Sequence, residues 1–397
     1  MERCFRYLLS AALLLAAVPA FACTSVIVSG AKSPSGRPVM MKHRDTGTLD
    51  NRMARFDGEK YAFIGLVNSD MDPDNPEVWA GSNTAGFCIM NTAAYDLKDD
   101  QVPESRMDRE GFLMYRALEI CANLADFENF LDTLQRPMGV EANFGVIDAH
   151  GGAAYYEVNN RVWYKFDVNK DPEGWRVVTN FTQHGRKEDR KGVDRYEKAR
   201  TLMKTCGKGV SGDIWCDHAW LMNHVSRSGS PILRTITSAC VVFEGVAPGQ
   251  NPQQTVMWTA LGWPAATVYV PLMPFCSDPI PSCLGGEGES GKALFCSNSL
   301  KWKEAGTDVS AAVRKTEQMI DSRFSSLFVR WTSGKVSDYH FIVGYRSLMQ
   351  RILYFKRAVV HHLEHVYNLL GAGFLFLHCS LYLVHKLVGL GNLFAHA

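Results

Sequence analysis

Cys23-Thr24-Ser25-Val26-Ile27-Val28-Ser29-Gly30 is the stretch on which the reading of this chain turns. It is short, apolar and rich in branched side chains, the composition of a buried β-strand. Pro34, Ser35 and Gly36 then supply a turn, and Pro38-Val39-Met40-Met41 opens a second strand, so the pair reads as a hairpin. What lies before Cys23 gives the strand its second meaning. The chain begins Met-Glu-Arg-Cys-Phe-Arg, runs without charge from Tyr7 to Val18 and closes on Ala20-Phe21-Ala22. A basic start, a short apolar core and an Ala-x-Ala end predict an exported chain with a signal peptide over residues 1–22. The cut after Ala22 would make Cys23 the first residue of the mature protein.

Two readings of that cysteine follow. In one it is acylated and tethers a lipid-anchored binding or structural protein. The residues three and two before it, Ala20 and Phe21, suit this poorly, because a small residue is expected where bulky Phe21 stands. In the other it is a nucleophile. The thiolate is the reactive form of cysteine, and an ordinary thiol titrates near ~8.5, so a base must stand close by. An N-terminal cysteine carries one on itself: its α-amine titrates at about 7.7–8.0 and can take the thiol proton and later return it to a leaving amine.

Downstream, Tyr61–Asn68, Phe87–Thr92, Asn143–Ala149, Ala153–Val158, Trp175–Asn180, Ile236–Val246, Thr255–Leu261 and Ala266–Val270 read as strands. Residues 109–134 carry Leu113, Ala117, Ile120, Leu124 and Phe127 at helical spacing, and residues 186–227 turn charged and helical. Strands and helices alternate in blocks rather than one by one, which favours a layered α+β domain with antiparallel sheets over a parallel doubly wound one. Lys and Arg total 42 against 41 Asp and Glu, so nothing in the charge balance points to nucleic acid. Cys4 and Cys23 aside, nine of the eleven cysteines remain, an odd number at irregular spacing. Bridges are open between Cys206 and Cys216 and within the group Cys276, Cys283 and Cys296. No zinc-site spacing is present, and no metal or cofactor is expected. Gly286-Glu287-Gly288-Glu289-Ser290-Gly291-Lys292-Ala293 imitates a phosphate loop, but Ala293 replaces the magnesium-binding hydroxyl and two glutamates would repel phosphate; it reads as a surface loop. From Arg323 onward the chain holds eight Lys or Arg, two acidic residues and seven of its twelve histidines. Leu369–Val384 is apolar apart from His378, Cys379 and Ser380, too short for a span and suited to a surface helix or a weak membrane contact.

Four elements in order carry a resemblance. Cys23-Thr24-Ser25 opens a strand, Lys42-His43-Arg44-Asp45 forms a basic-x-x-Asp element, Trp79 to Asn91 holds a Gly-x-Asn-x-x-Gly turn and its following strand, and Val178-Thr179-Asn180 ends another strand. Together they resemble the N-terminal-nucleophile hydrolases, in the branch of choloylglycine hydrolases, linear-amide hydrolases and penicillin acyltransferase-like proteins, over roughly residues 23–300. The resemblance implies a four-layer αββα sandwich over residues 23–318, with residues 319–397 as a separate tail. It implies Cys23 as nucleophile, Asp45 holding its α-amine, Asn91 donating to a tetrahedral oxyanion, and Asn180 contacting the α-amine or the substrate carbonyl. A later family arginine corresponds to Arg234. The chain departs from the family where Arg and Asn usually stand three and two before the aspartate: here these are Lys42 and His43, with Arg44 beside Asp45, which leaves open which cation flanks the thiol. The expected activity is cleavage of a small-molecule linear amide through a thioester, or acyl transfer by the same residues. Phe63, Trp79, Phe87 and Trp258 suit either an acyl pocket or plain core packing.

Overall fold

The computed structural model describes residues 22–98, 101–206, 216–286 and 291–352. Strand β1 (Ala22–Val28) is buried along its whole length, as its apolar and small residues allow in a strand covered on both faces. It pairs antiparallel with β2 (Val39–Asp45) in a register that sets Cys23 opposite Arg44 and Ser25 opposite Lys42. On its other side lies β10 (Trp175–Val178). Beyond β2 come β11 (Thr237–Glu244), β12 (Val256–Leu261) and β13 (Val270–Leu272), giving a six-stranded antiparallel sheet ordered β10-β1-β2-β11-β12-β13.

A second, seven-stranded sheet is a plain meander in chain order: β3 (Asn51–Phe56), β4 (Phe63–Asn68), β5 (Ala80–Asn83), β6 (Cys88–Ala93), β7 (Ala142–Ile147), β8 (Ala153–Val158) and β9 (Trp163–Asp167). The edge strands β3 and β9 were not evident from the pattern, because both are charged and partly exposed. The periodic stretch 109–134 divides into α1 (Glu110–Ile120) and α2 (Leu124–Thr133), the break being made where the Asn123 side chain caps α2 through the Asp126 N–H at 2.9 Å. Leu113, Ala117 and Phe127 sink from these helices onto Ile89 and Phe144 of the second sheet and onto Phe87 just ahead of β6. On the first sheet, α3 (Val193–Met203) packs against β10 and β1, α4 (Leu294–Glu304) against β12, and α5 (Ser310–Thr332) against β13. The order helix, sheet, sheet, helix is the layered α+β arrangement expected. α5 runs unbroken through position 318, and the first compact unit ends at Ser337. Residues 338–352 belong to a second unit and are helical.

The two sheets meet through closely fitted contacts. Tyr155 Oη donates to Ser25 Oγ at 3.0 Å, and Thr92 Oγ1 donates to the Thr179 carbonyl at 2.5 Å. Gly145 leaves room between them, since a Cβ there would meet the Met90 methyl, with Met40 Sδ and the Tyr155 ring both at 3.2 Å. Cys206 and Cys216 form a disulfide. The expected leader, except Ala22, the tail segment 369–384 and residues 287–290 of the glycine-rich loop lie outside the described residues. Among the described residues no helix is long and apolar enough to cross a membrane. Gly145→Val is expected to lower stability by about 1–3 kcal/mol through overpacking between the sheets, seen as a lower urea midpoint with an unchanged slope.

Candidate active site

Cys23 is 6% exposed, near the start of a central strand. Its backbone N–H donates to Asn180 Oδ1 at 2.8 Å, and Asn180 Nδ2 donates to the Ala93 carbonyl at 2.8 Å. Asn180 stands two residues past the end of β10 and forms an isolated bridge with Lys191. One asparagine therefore links β1 and β10 of the first sheet to the end of β6 in the second.

Strand alternation places Cys23, Ser25, Lys42 and Arg44 on the face toward the second sheet. Lys42 reaches the point where the β5–β6 ladder has ended. Its Nζ donates to the Trp79 carbonyl at 2.5 Å and to Asn91 Oδ1 at 2.6 Å. The β5–β6 pairing closes at Ala80 opposite Met90, so the ammonium occupies the split between the next two residues. Arg44 is directed elsewhere: it donates to Asn51 Oδ1 and, at 2.9 Å, to Asn68 Oδ1, and its guanidinium lies 5.0 Å from the Trp79 ring centre. Both cations are buried and both sense the Cys23 thiol. Burial pulls Lys42 down to about 7, with the Cys23 charge opposing the fall and Arg44 adding to it. Burial likewise lowers Arg44 to about 10, against Cys23, Cys296 and Glu77.

Asp45 alternates to the other face, level with Ala22. Its Oδ1 accepts from Thr237 Oγ1 at 2.7 Å, and its Oδ2 stands 3.7 Å from Arg234 Nη1 without a hydrogen bond. His43, fully buried, has Nδ1 3.5 Å from Asp45 Oδ1, and neither ring nitrogen makes a hydrogen bond among the described residues. Arg234 is partly exposed, lies beside Asp45 and also acts electrostatically on Arg195 and Tyr95.

The sequence reading missed Arg195. This residue of α3 is 3% exposed and donates to the Cys23 carbonyl, to Thr24 Oγ1 at 3.1 Å and to Asn180 Oδ1 at 2.7 Å. It lay hidden in a run of charges that reads as a solvated helix face. A signal was present in Gly192, three residues before it: φ is +76° there and a Cβ would collide with the guanidinium. Tyr95, just after β6, also senses Cys23, and burial pushes its phenol above its ordinary range. Of the four aromatic candidates, only Trp79 adjoins the centre. Phe63 and Phe87 lie in the core under α1 and α2, and Trp258 stacks on His218 at 4.8 Å. A cavity of about 200 Å³ opens beside β10, lined by Tyr155, Glu157, Arg176 and Thr179 among others; Cys23 is not in its wall. Among the described residues no group of His, Cys, Asp or Glu is arranged to hold a metal ion.

No family model matches the chain, and no curated protein matches it. Solved structures do. An N-acylethanolamine-hydrolyzing acid amidase ortholog from Caenorhabditis elegans is similar at 15% identity and a TM-score of 0.43, over 58% of this chain and 93% of that one. A mutant conjugated bile acid hydrolase from Clostridium perfringens is similar at 12% identity and 0.41, over 63% and 92%. Penicillin V acylase from Agrobacterium tumefaciens is similar at 13% identity and 0.37, over 63% and 86%.

The Lys42 displacement yields a pH test. An ammonium whose folded pKa lies below its unfolded value opposes folding fully at pH below about 7, and that penalty is relieved as pH rises from about 7 toward 10.5. The stability of the wild type relative to Lys42→Met should therefore rise across that window, by up to about 1.4 kcal/mol per pH unit, in denaturant titrations from pH 6 to 10.

Proposed function

We propose that this protein is an exported amide hydrolase in which Cys23, freed at its amino terminus by cleavage after Ala22, attacks a linear, non-peptide amide. One observation carries the reading: the Cys23 nitrogen and carbonyl are both held by buried side chains, Asn180 and Arg195, with Lys42 and Arg44 close to the thiol. A tether has no need of such fixing. A cysteine only 6% exposed in a central strand also leaves no room for an attached lipid, which favours catalysis over the lipid-anchored alternative.

The steps use the α-amine that cleavage would free together with the side chains around Cys23. The α-amine takes the Sγ proton, and the thiolate adds to the acyl carbon. The resulting oxyanion is met by Asn91: Lys42 engages its Oδ1, while its Nδ2 hydrogens make no hydrogen bond to a described residue. The C–N bond then breaks, the proton passes from the α-amine to the departing nitrogen, and water hydrolyses the thioester. Asp45, held by Thr237 and near Arg234, orients the α-amine. The acyl and amine parts of the substrate are to be found among conjugated bile salts, N-acyl amino acids and penicillin-type amides.

Intact mass of the secreted protein should show an unmodified chain beginning at Cys23. A hydrolysis screen over those amides should find turnover that Cys23→Ala lowers by roughly 10³-fold or more with no change in melting temperature. A diacylglyceryl mass on Cys23, or equal activity in Cys23→Ala, defeats the reading.

A further inference from the structure

Asn180 Oδ1 accepts two hydrogen bonds, from the Cys23 nitrogen at 2.8 Å and from Arg195 Nη2 at 2.7 Å. The two nitrogens therefore stand no further apart than those two distances laid end to end, inside the ~4–6 Å over which one charge shifts the protonation of another group. The guanidinium cannot easily move away. It is also tied to the Cys23 carbonyl and Thr24 Oγ1, and Gly192 gives it the space it fills.

We propose that Arg195 is a positioning residue of the Cys23 centre, holding its guanidinium against the α-amine across the shared Asn180 oxygen and so keeping that amine unprotonated and able to act as base. This rests on the reading of Cys23 as a mature N-terminus. A protonated α-amine would set two cations on one neutral oxygen, whereas a neutral amine still donates one N–H to Asn180 and retains a lone pair for the thiol proton. The charges around the nitrogen come from several elements. Lys42, His43, Arg44 and Asp45 lie on β2, Asp194 and Arg195 on α3, Arg234 ahead of β11 and Tyr95 after β6. Asp45 favours the protonated amine, and Arg195 is the cation that shares the amine's own hydrogen-bond acceptor.

The test is the pH dependence of α-amine acylation by an N-hydroxysuccinimide ester, read at residue 23 by peptide mass in the mature protein. A neutral amine reacts and a protonated one does not, so the midpoint reports its pKa without any need for turnover. Arg195→Gln, which keeps a donor and loses the charge, should raise the midpoint by about one to two pH units, and Arg195→Lys should restore it. The acid limb of kcat/KM should move in parallel. If Arg195→Gln does not fold, Gly192→Ala keeps the charge but displaces the guanidinium, and a smaller rise is expected. A midpoint unchanged in the folded variants, with or without loss of kcat, overturns the proposal. A shifted midpoint in a protein that hydrolyses no amide upholds it while defeating the hydrolase reading, and a mature chain that does not begin at Cys23 defeats both.

Discussion

The amide oxygen of Asn180 is where three layers of the molecule are joined. It takes the Cys23 N–H from the first sheet and a guanidinium N–H from α3, while the other end of the same amide donates to Ala93 in the second sheet. An asparagine can do this because its amide is acceptor at one end and donor at the other, and here the surroundings fix which end is which. Arg195 has only donors to offer, so it demands the oxygen, and the Ala93 carbonyl has only an acceptor, so it demands the nitrogen. Reversing the amide would set donor against donor and acceptor against acceptor in a site closed to water. Each unmatched group there would cost about 1–3 kcal/mol.

The framework that brings these groups together follows from burial. β1, β2 and β11 are buried along almost their whole length, so β1 and β11 show mainly apolar or small residues, while β2 is apolar only over Val39-Met40-Met41 before Lys42-His43-Arg44-Asp45. Several polar groups on them find partners inside, though among the described residues neither ring nitrogen of His43 does. Ser25 finds Tyr155, Thr237 finds Asp45, and Thr24 finds Arg195.

Legibility tracked this division. Cys23 stood out because an Ala-x-Ala sequence ends just before it, and Asn91 and Asn180 because they close recognisable sequence motifs. β3 and β9 escaped because an edge strand needs no apolar pattern, and the break between α1 and α2 escaped because its periodicity continues across Asn123. Arg195 was illegible for a stronger reason. In sequence it is one charge among Arg186, Lys187, Arg190, Lys191 and Lys198, and its burial depends on a glycine three residues earlier and on two strands more than a hundred residues away or just before it. Pattern reports the average environment of a helix face and cannot single out the one residue that turns inward.

Lys42, Arg44 and Arg195 are all buried, and the oxygens that receive them are neutral: two backbone carbonyls, four asparagine amides and a hydroxyl. Neutral acceptors satisfy the geometry of a cation without cancelling its charge. The centre is therefore held positive at a cost to folding, visible in the lowering of Lys42 and Arg44 by burial. Such a field is repaid when an anion forms within it, and the cysteine thiolate and the oxyanion of an attacked amide are both anions. The three cations differ in how firmly they hold their charge. The two guanidiniums keep theirs at any physiological pH, whereas Lys42 is lowered by burial to about 7 and is drawn back toward the charged form when the Cys23 thiol ionises. The lysine is thus the adjustable member of the set, and it is the one that stands where the resembling family carries an arginine.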